Sequence, residues 1–524
     1  MLVKVASAAN LGLETIKVDV EVHLANRGLP GFEIVGLPDK AVDESKERVR
    51  AAILSSGIEF PAKKIIVNLA PADIPKEGSF YDLPIALGIL KSVLPFSLPE
   101  KSLFFGELSL DGSLRHTRGA FLLALFAQEA DFENLFVPKD SANEASVIKG
   151  IKVYPVENLF ELTNHFLGRK LITPAIFKKS EIDERLPAPA EFDMKEILGQ
   201  EQAKRAMEIA ASGSHNIIMI GSPGSGKTML ARALPGILPP LSEEESLEVT
   251  KLYSATGNIP PGGSLVTNRQ FRAPHHTASQ VGLIGGGTRP QPGEISLAHR
   301  GVLFLDEFNE FPRSVMEALR QPLEDGHLTI SRSRERVEYP ADFMLVASAN
   351  PCPCGYLNHP KKNCVCSPRQ IRKYQKRISG PILDRIDLHV VIQPVDVEEF
   401  SENQKASEFL ESSEKIRKRV ALAREIQLKR FKKENIYSGQ DARYINCYTN
   451  AQMKNSHIKK YCQLTKEVEQ LLKQAGLKFQ LSARSYMKMI KVARTIADLD
   501  GAGDIGIIHM AEALQYRPKI YEDV

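Results

Sequence analysis

No stretch of the 524-residue chain approaches the roughly 18 to 20 uninterrupted apolar residues that a membrane-spanning helix needs, so a helical membrane protein is excluded. The opening MLVKVASAANLGLETIKVDVEV is strand-like and lacks the charged head and apolar block of an export leader, which predicts a soluble, cytoplasmic protein. Neither sign of charge is in excess: 68 Lys and Arg against 64 Asp and Glu leave a formal +4, so any site for a polyanion must be a local patch. There is no internal repeat and no low-complexity tract. Cysteine is sparse, at 352, 354, 364, 366, 447 and 462, and four of the six fall in one short segment. In a cytosolic chain such a cluster suggests a metal before disulfides.

At 524 residues the chain is too long for one core, and two to four domains are expected. Residues 1–170 alternate β-rich runs (IKVDVEVHL, KKIIVNLA, NLFVP) with helical stretches, which predicts a compact α/β domain. Residues 171–193, charged and carrying three prolines, read as a linker. From 194 to 397 the short apolar runs NIIMIG, VLFLDEF, FMLVASAN and LHVVIQP alternate with helices, the pattern of a parallel sheet buried on both faces. Residues 398–524 are helix-compatible almost throughout and predict a helical lid.

The strand NIIMI leads into Gly221, Ser222, Pro223, Gly224, Ser225, Gly226, Lys227 and Thr228, a complete G-x-x-x-x-G-K-[ST]. Glycines there let backbone N–H groups wrap phosphate oxygens, the lysine reaches the β- and γ-phosphates, and the hydroxyl holds Mg²⁺. Further on, VLFLDEF ends in Asp306, suited to a Mg²⁺ shell, and Glu307, suited to polarising an attacking water. FMLVASAN ends at Asn350, at the carboxyl edge where open α/β sheets bind ligands; the expected role is to position that water or sense the γ-phosphate. ATP and Mg²⁺ are therefore the expected substrate and cofactor.

Three further features carry chemistry. Cys352, Cys354, Cys364 and Cys366, as two CxC pairs across a loop, could supply four thiolates to a tetrahedral Zn²⁺, the alternative being free thiols. Basic residues follow at once in RQIRKYQKR, a second place for phosphate contact. In LEDGHLTISRSRERVEYPADF, Arg332, Arg334 and Arg336 alternate, so a strand would set them on one face as a candidate DNA contact. The glycine-rich TASQVGLIGGGTRPQPGEIS reads as a mobile loop. His275 and His276 before it read as structural or inter-subunit residues, since no acid or cysteine lies at ligand spacing in the sequence.

With these residues in hand, 194–524 resembles the AAA+ ATPases of the magnesium-chelatase and MCM-helicase branch. Over the whole chain the resemblance narrows to the YifB/ComM family, on GFEIVGLPDKAVDESKERVRAA, FRAPHHTAS, LRQPLEDG, NPCPCGY and SGPILDRIDLH. The resemblance implies that Gly199 and Gln200 in ILGQ close over the adenine, that Arg385 is a finger inserted into the neighbouring subunit's site, and that Arg484 is the lid arginine called sensor 2, with Arg494 a weaker candidate. It further implies a homo-hexamer whose hairpins line a central pore, acting as a DNA motor in branch migration and, for the ComM members, in natural transformation. A chelatase-type motor and an ATP-switched scaffold remodelling a protein partner are the alternatives.

Residues 63–125 are similar to the proteolytic domain of Lon, which implies a ribosomal protein S5 domain 2-like fold. The nucleophile column falls on Phe80, with Ser79 one place early. The base column falls on Phe121, with Arg118 the nearest cation. Phenylalanine can neither accept a proton nor attack a carbonyl, so 1–170 is expected to be an inactive scaffold or partner-binding domain.

Overall fold

The computed structural model describes residues 2–25, 29–76, 78–177, 190–287, 290–331, 336–394, 410–437 and 447–518. They form two compact units: one joins Met1–Glu184 to Ser242–Thr267, the other joins Arg185–Leu241 to Asn268–Val524.

In the first unit, strands Leu2–Leu11 and Glu14–Ala25 form an antiparallel hairpin. It continues through the antiparallel Lys64–Ala70 to the parallel edge Gly31–Val35. Along Glu14–Ala25 the inward positions Val18, Val20, Val22 and Leu24 repeat with the period of two that pleating imposes. Helix Asp82–Lys91 is apolar on all sides except its ends, and it is buried almost throughout. A second, three-stranded parallel sheet (Ser102–Phe104, Asn134–Pro138, Lys152–Val156) packs with helix Ala120–Glu129. Helix Glu243–Thr256 belongs to this unit although the sequence places it in the middle of the ATPase region. Ser242 and Glu245 form its capping box, Leu247 packs against the core around Phe105 and Phe121, and Ser254 Oγ donates to Glu144 Oε1 at 2.5 Å. A compact unit thus need not be one continuous stretch of chain, because apolar surface, not chain order, decides where a helix is buried.

The second unit is built on a five-stranded parallel sheet. Across it run Phe271–Arg272, Val302–Leu305, Met344–Ala349, Ile217–Gly221 and Leu388–Ile392. The four apolar runs seen in the sequence are the three inner strands and the edge strand Leu388–Ile392, and Met344–Ala349 is buried at every position. Only the two-residue edge strand Phe271–Arg272 had no hydrophobic run to announce it. Helices Ser413–Tyr437, Asn455–Tyr461, Lys466–Lys478, Ala483–Leu499 and Ile507–Gln515 make up the helical part. Their buried residues share one apolar cluster with those of Glu201–Gly213 and one face of the sheet.

Candidate functional site

The chain turns from Gly221 into helix Lys227–Ala233 through Gly224 at φ +77° and Gly226 at φ +90°. A Cβ built on either would meet nothing within 4 Å, so these glycines leave a backbone-lined hollow open, as a cradle for phosphate needs. Lys227 is buried beside the hollow. Its Nζ donates to the carbonyls of Gly221 (2.7 Å) and Ser222 (2.8 Å) and to Asn350 Oδ1 (3.3 Å). Burial lowers the ammonium to about 8, with Asp306 and Glu307 pulling the other way.

Thr228 Oγ1 donates to Asp306 Oδ2 at 3.0 Å, so a hydroxyl and a carboxylate oxygen meet at the mouth of the hollow. That donor set fits Mg²⁺, which takes hard oxygen ligands and keeps few of them from protein. Asp306 is itself fixed by the Ser348 hydroxyl and, at 3.0 Å, by the Glu307 N–H. Glu307 stands at φ +52° without being glycine, a strained conformation, and its side chain is exposed. His276 Nδ1 lies 3.3 Å from Glu307 Oε2. Sequence spacing assigned His276 no acidic neighbour; the acid arrives from another strand end, a relation only the fold creates. Gly199 and Gln200, both at positive φ, precede helix Glu201–Gly213, and the Gln200 amide donates to the carbonyls of Gln393 and, at 3.4 Å, Ser225.

The two resemblance-derived arginines lie together, and not with this group. Arg385 and Arg484 each donate to one oxygen of Glu324, at the root of the hairpin. Although partial burial opposes it, these two guanidiniums hold the Glu324 carboxyl below its ordinary range. They line a cavity of about 590 Å³ with Asp387, Lys488 and Lys491. The backbone at Arg385 is held by Asn216, whose Nδ2 donates to the Arg385 carbonyl (3.2 Å) and whose Oδ1 accepts from Leu345 N–H (2.8 Å). Arg494, by contrast, is buried and bonds to Asp498 and the carbonyls of Ala502 and Gly503, a structural role inside the helical part.

The hairpin pairs His327–Ser331 with Arg336–Pro340. Its base is anchored by Tyr339, whose buried hydroxyl donates to the Pro290 carbonyl at 2.8 Å. Arg336 is exposed at the start of the return strand; Arg332 and Arg334 lie outside the described residues. The glycine-rich insertion holds more structure than a bare loop, with helix Gln280–Ile284 and the short ribbon Gly285–Gly286 with Gln291–Pro292. Leu283 and Ile295 are buried.

Cys352, Cys354, Cys364 and Cys366 converge so that all four sulfurs lie within 4.8 Å of one another, with none in a disulfide. The closest pairs are 3.4, 3.6 and 3.7 Å apart. Four thiolates at about 2.3 Å from a tetrahedral zinc would stand about 3.8 Å apart, so the donor set fits one such ion. The Tyr356 N–H lowers the Cys354 thiol to about 6, while burial pushes Cys352 up to about 12. Cys447 and Cys462 are buried among the helices. In the first unit, Ser79 donates to Glu107, Phe80 stacks on Phe105 at 4.6 Å, and Phe121 is buried.

A glycine-rich turn, a threonine against an acidic strand end and an asparagine on the adjoining strand of a parallel sheet define an AAA+ protein of the magnesium-chelatase type. Sequence comparison agrees: residues 193–400 match the family "Magnesium chelatase, subunit ChlI", 20–141 match "Subunit ChlI of Mg-chelatase", and 410–517 match "Magnesium chelatase, subunit ChlI C-terminal". Competence protein ComM of Haemophilus influenzae is 42% identical over 98% of this chain and 97% of its own length. The uncharacterized protein YifB of Escherichia coli is 40% identical over 98% and 96%. The chain belongs to the ComM/YifB family. The magnesium-chelatase 38 kDa subunit of Cereibacter sphaeroides is a more distant relative, 26% identical over 30% of this chain and 53% of its own.

Proposed function

We propose that the chain is an ATP-hydrolysing motor that works as a homo-hexameric ring on single-stranded or branched DNA, with Mg²⁺ as cofactor and a zinc ion on the four thiols. In this reading the glycine-rich loop and Lys227 bind the nucleotide's phosphates, and Gln200 and Gly199 border the base. Mg²⁺, held by Thr228 and Asp306, would neutralise phosphate charge. Glu307 accepts a proton from the attacking water, with His276 orienting its carboxylate, and Asn350 holds Lys227 and the γ-phosphate in register. A family resemblance to ComM supports a role in DNA uptake or recombination, and the first unit is then a catalytically inert, Lon-like platform for a protein partner.

One observation carries the ring: Arg385 and Arg484 are bonded to Glu324 and not to any phosphate-loop residue of their own chain. An arginine supplied by a neighbour would complete the site and raise turnover by several orders of magnitude. Repetition of Arg332, Arg334 and Arg336 around a ring would make a positive channel from a chain of formal charge +4.

The test is ATPase activity with and without forked DNA, run on the natural chain and on Arg332→Ala/Arg334→Ala, beside mass measurement by light scattering. A DNA motor is stimulated by the fork, loses that stimulation in the variant, and assembles with nucleotide. A chelatase-type motor or a scaffold responds to DNA weakly in both forms, which would displace this reading.

A further inference from the structure

Residues 350–367, between the strand Met344–Ala349 and the helix Pro368–Gln375, contain no helix or strand. Structureless connections longer than about 12 to 15 residues are uncommon in compact domains unless something other than a ladder holds them. Within the loop the Gly355 N–H bonds to the Cys352 carbonyl, and the Lys361 and Lys362 N–H groups to His359 Nδ1; ties to the rest of the chain stand at its start. Asn350 accepts from Lys227, and the Pro351 carbonyl accepts from Gln375 Nε2 at 3.1 Å. Then come the four cysteines, of which only Cys352 is fully buried.

Between the first cysteine pair and the rest of the loop, Gly355 lies against the phosphate loop. Its φ is +81°, and a Cβ there would stand 2.5 Å from Pro223 Cδ and 2.8 Å from Pro223 Cγ. Only glycine permits that approach. The same short stretch therefore begins at the asparagine that touches Lys227 and ends on the proline in the middle of the phosphate cradle.

We propose that a single zinc ion on Cys352, Cys354, Cys364 and Cys366 fastens the 350–367 loop onto Pro223 and thereby preorganises both Asn350 and the phosphate loop for nucleotide. The proposal rests on the reading that Gly221–Thr228 takes ATP. Binding Zn²⁺ releases the protons of the thiols to solvent and forms four Zn–S bonds, with no change of oxidation state. Zinc suits the site because tetrahedral all-sulfur sets select Zn or iron–sulfur chemistry, and four sulfurs within 4.8 Å of one another, three of them 3.4 to 3.7 Å apart, enclose one ion, not a cluster. With the loop tethered at both sides of Gly355, the cradle is held before nucleotide arrives, and less ordering remains to be done on binding. The cysteines are positioning residues; none touches nucleotide.

The experiment compares the full-length chain as purified, the chain stripped with a chelator, Cys364→Ser/Cys366→Ser, and Pro223→Gly. Elemental analysis gives metal per chain, and reconstitution with Co²⁺ gives the thiolate-to-cobalt absorption of a tetrahedral sulfur site. Hydrogen exchange follows the amides of 221–228 and 350–367, and a fluorescent ATP analogue reports affinity. The expected result is one zinc per chain in the natural protein and in Pro223→Gly, and none in the double serine variant. Stripping speeds exchange in both segments and weakens nucleotide binding by about tenfold or more. Pro223→Gly keeps its zinc but shows the faster exchange at 221–228. Iron in place of zinc, no metal, or a metal-free chain whose 221–228 amides exchange as before would overturn the proposal. If the natural chain fails to bind ATP while 221–228 still loosens on stripping, the nucleotide reading falls and the fastening stands. If the serine variant binds ATP with undiminished affinity and unchanged exchange, the reverse holds.

Discussion

Lys227 sets the first expectation at the scale of single residues. Its ammonium titrates at about 8 because burial disfavours the charged form, whereas bound phosphates would favour it. Above pH 8 the unliganded side chain is increasingly neutral and nucleotide binding must take up a proton. Affinity should therefore weaken with rising pH, by up to about tenfold per unit, and isothermal titration in buffers of different ionisation enthalpy would reveal the uptake. Lys227→Ala should abolish nucleotide binding altogether. Glu307→Gln should keep it while slowing hydrolysis by about 100-fold or more, the usual share of a general base. His276→Ala offers a finer check, since its Nδ1 lies against the Glu307 carboxylate. It should lower kcat and leave nucleotide affinity unchanged, as steady-state and equilibrium measurements would show. The phosphate loop was readable in the sequence because its residues are adjacent and their chemistry fixes their order. The His276 contact was not, because nothing in a linear spacing places a loop histidine against the end of another strand.

Among the elements, the buried strands of the parallel sheet were legible as continuous apolar runs, each long enough to cross the core. The hairpin was legible too, from alternating residues around a charged bend, but its anchor was not. Tyr339 is one β-capable residue among several until its hydroxyl is seen to meet the Pro290 carbonyl. Tyr339→Phe leaves that buried carbonyl without its donor and should cost about 1 kcal/mol, measurable as a lower denaturant midpoint. If the hairpin is the DNA-contacting element, the same change should reduce stimulation by forked DNA more than basal hydrolysis. The pairing of Arg385 and Arg484 on Glu324 likewise escaped the sequence. The two arginines are about a hundred positions apart, and the acid belongs to neither of their motifs.

For the molecule as a whole, hydrolysis should depend on concentration if the neighbour completes each site. Arg385→Ala should lower turnover by about 1000-fold or more, and mixing it with Lys227→Ala should restore part of the activity, because each chain then supplies what the other lacks. A separate dependence concerns folding of the second unit. His389 is buried in the strand Leu388–Ile392, and burial, with Lys488 nearby, lowers its ring to about 4 from an ordinary 6.5. Between those values the unfolded chain binds a proton that the folded chain refuses. Stability is therefore intact above pH 6.5 and falls as the medium is acidified towards 4, by about 3 kcal/mol from this residue, which urea titrations across the range would report.

Helix Glu243–Thr256 also bears on how the protein can be dissected. Because the polypeptide leaves the ATPase unit after Leu241 and re-enters it at Asn268, no single cut yields two self-sufficient halves. A truncation that discards residues 1–184 would take from Leu247 the apolar cluster it packs against and from Ser254 its partner Glu144, leaving the helix without its seat. Whoever wishes to study either half alone must excise and splice rather than shorten, replacing 242–267 with a short tether.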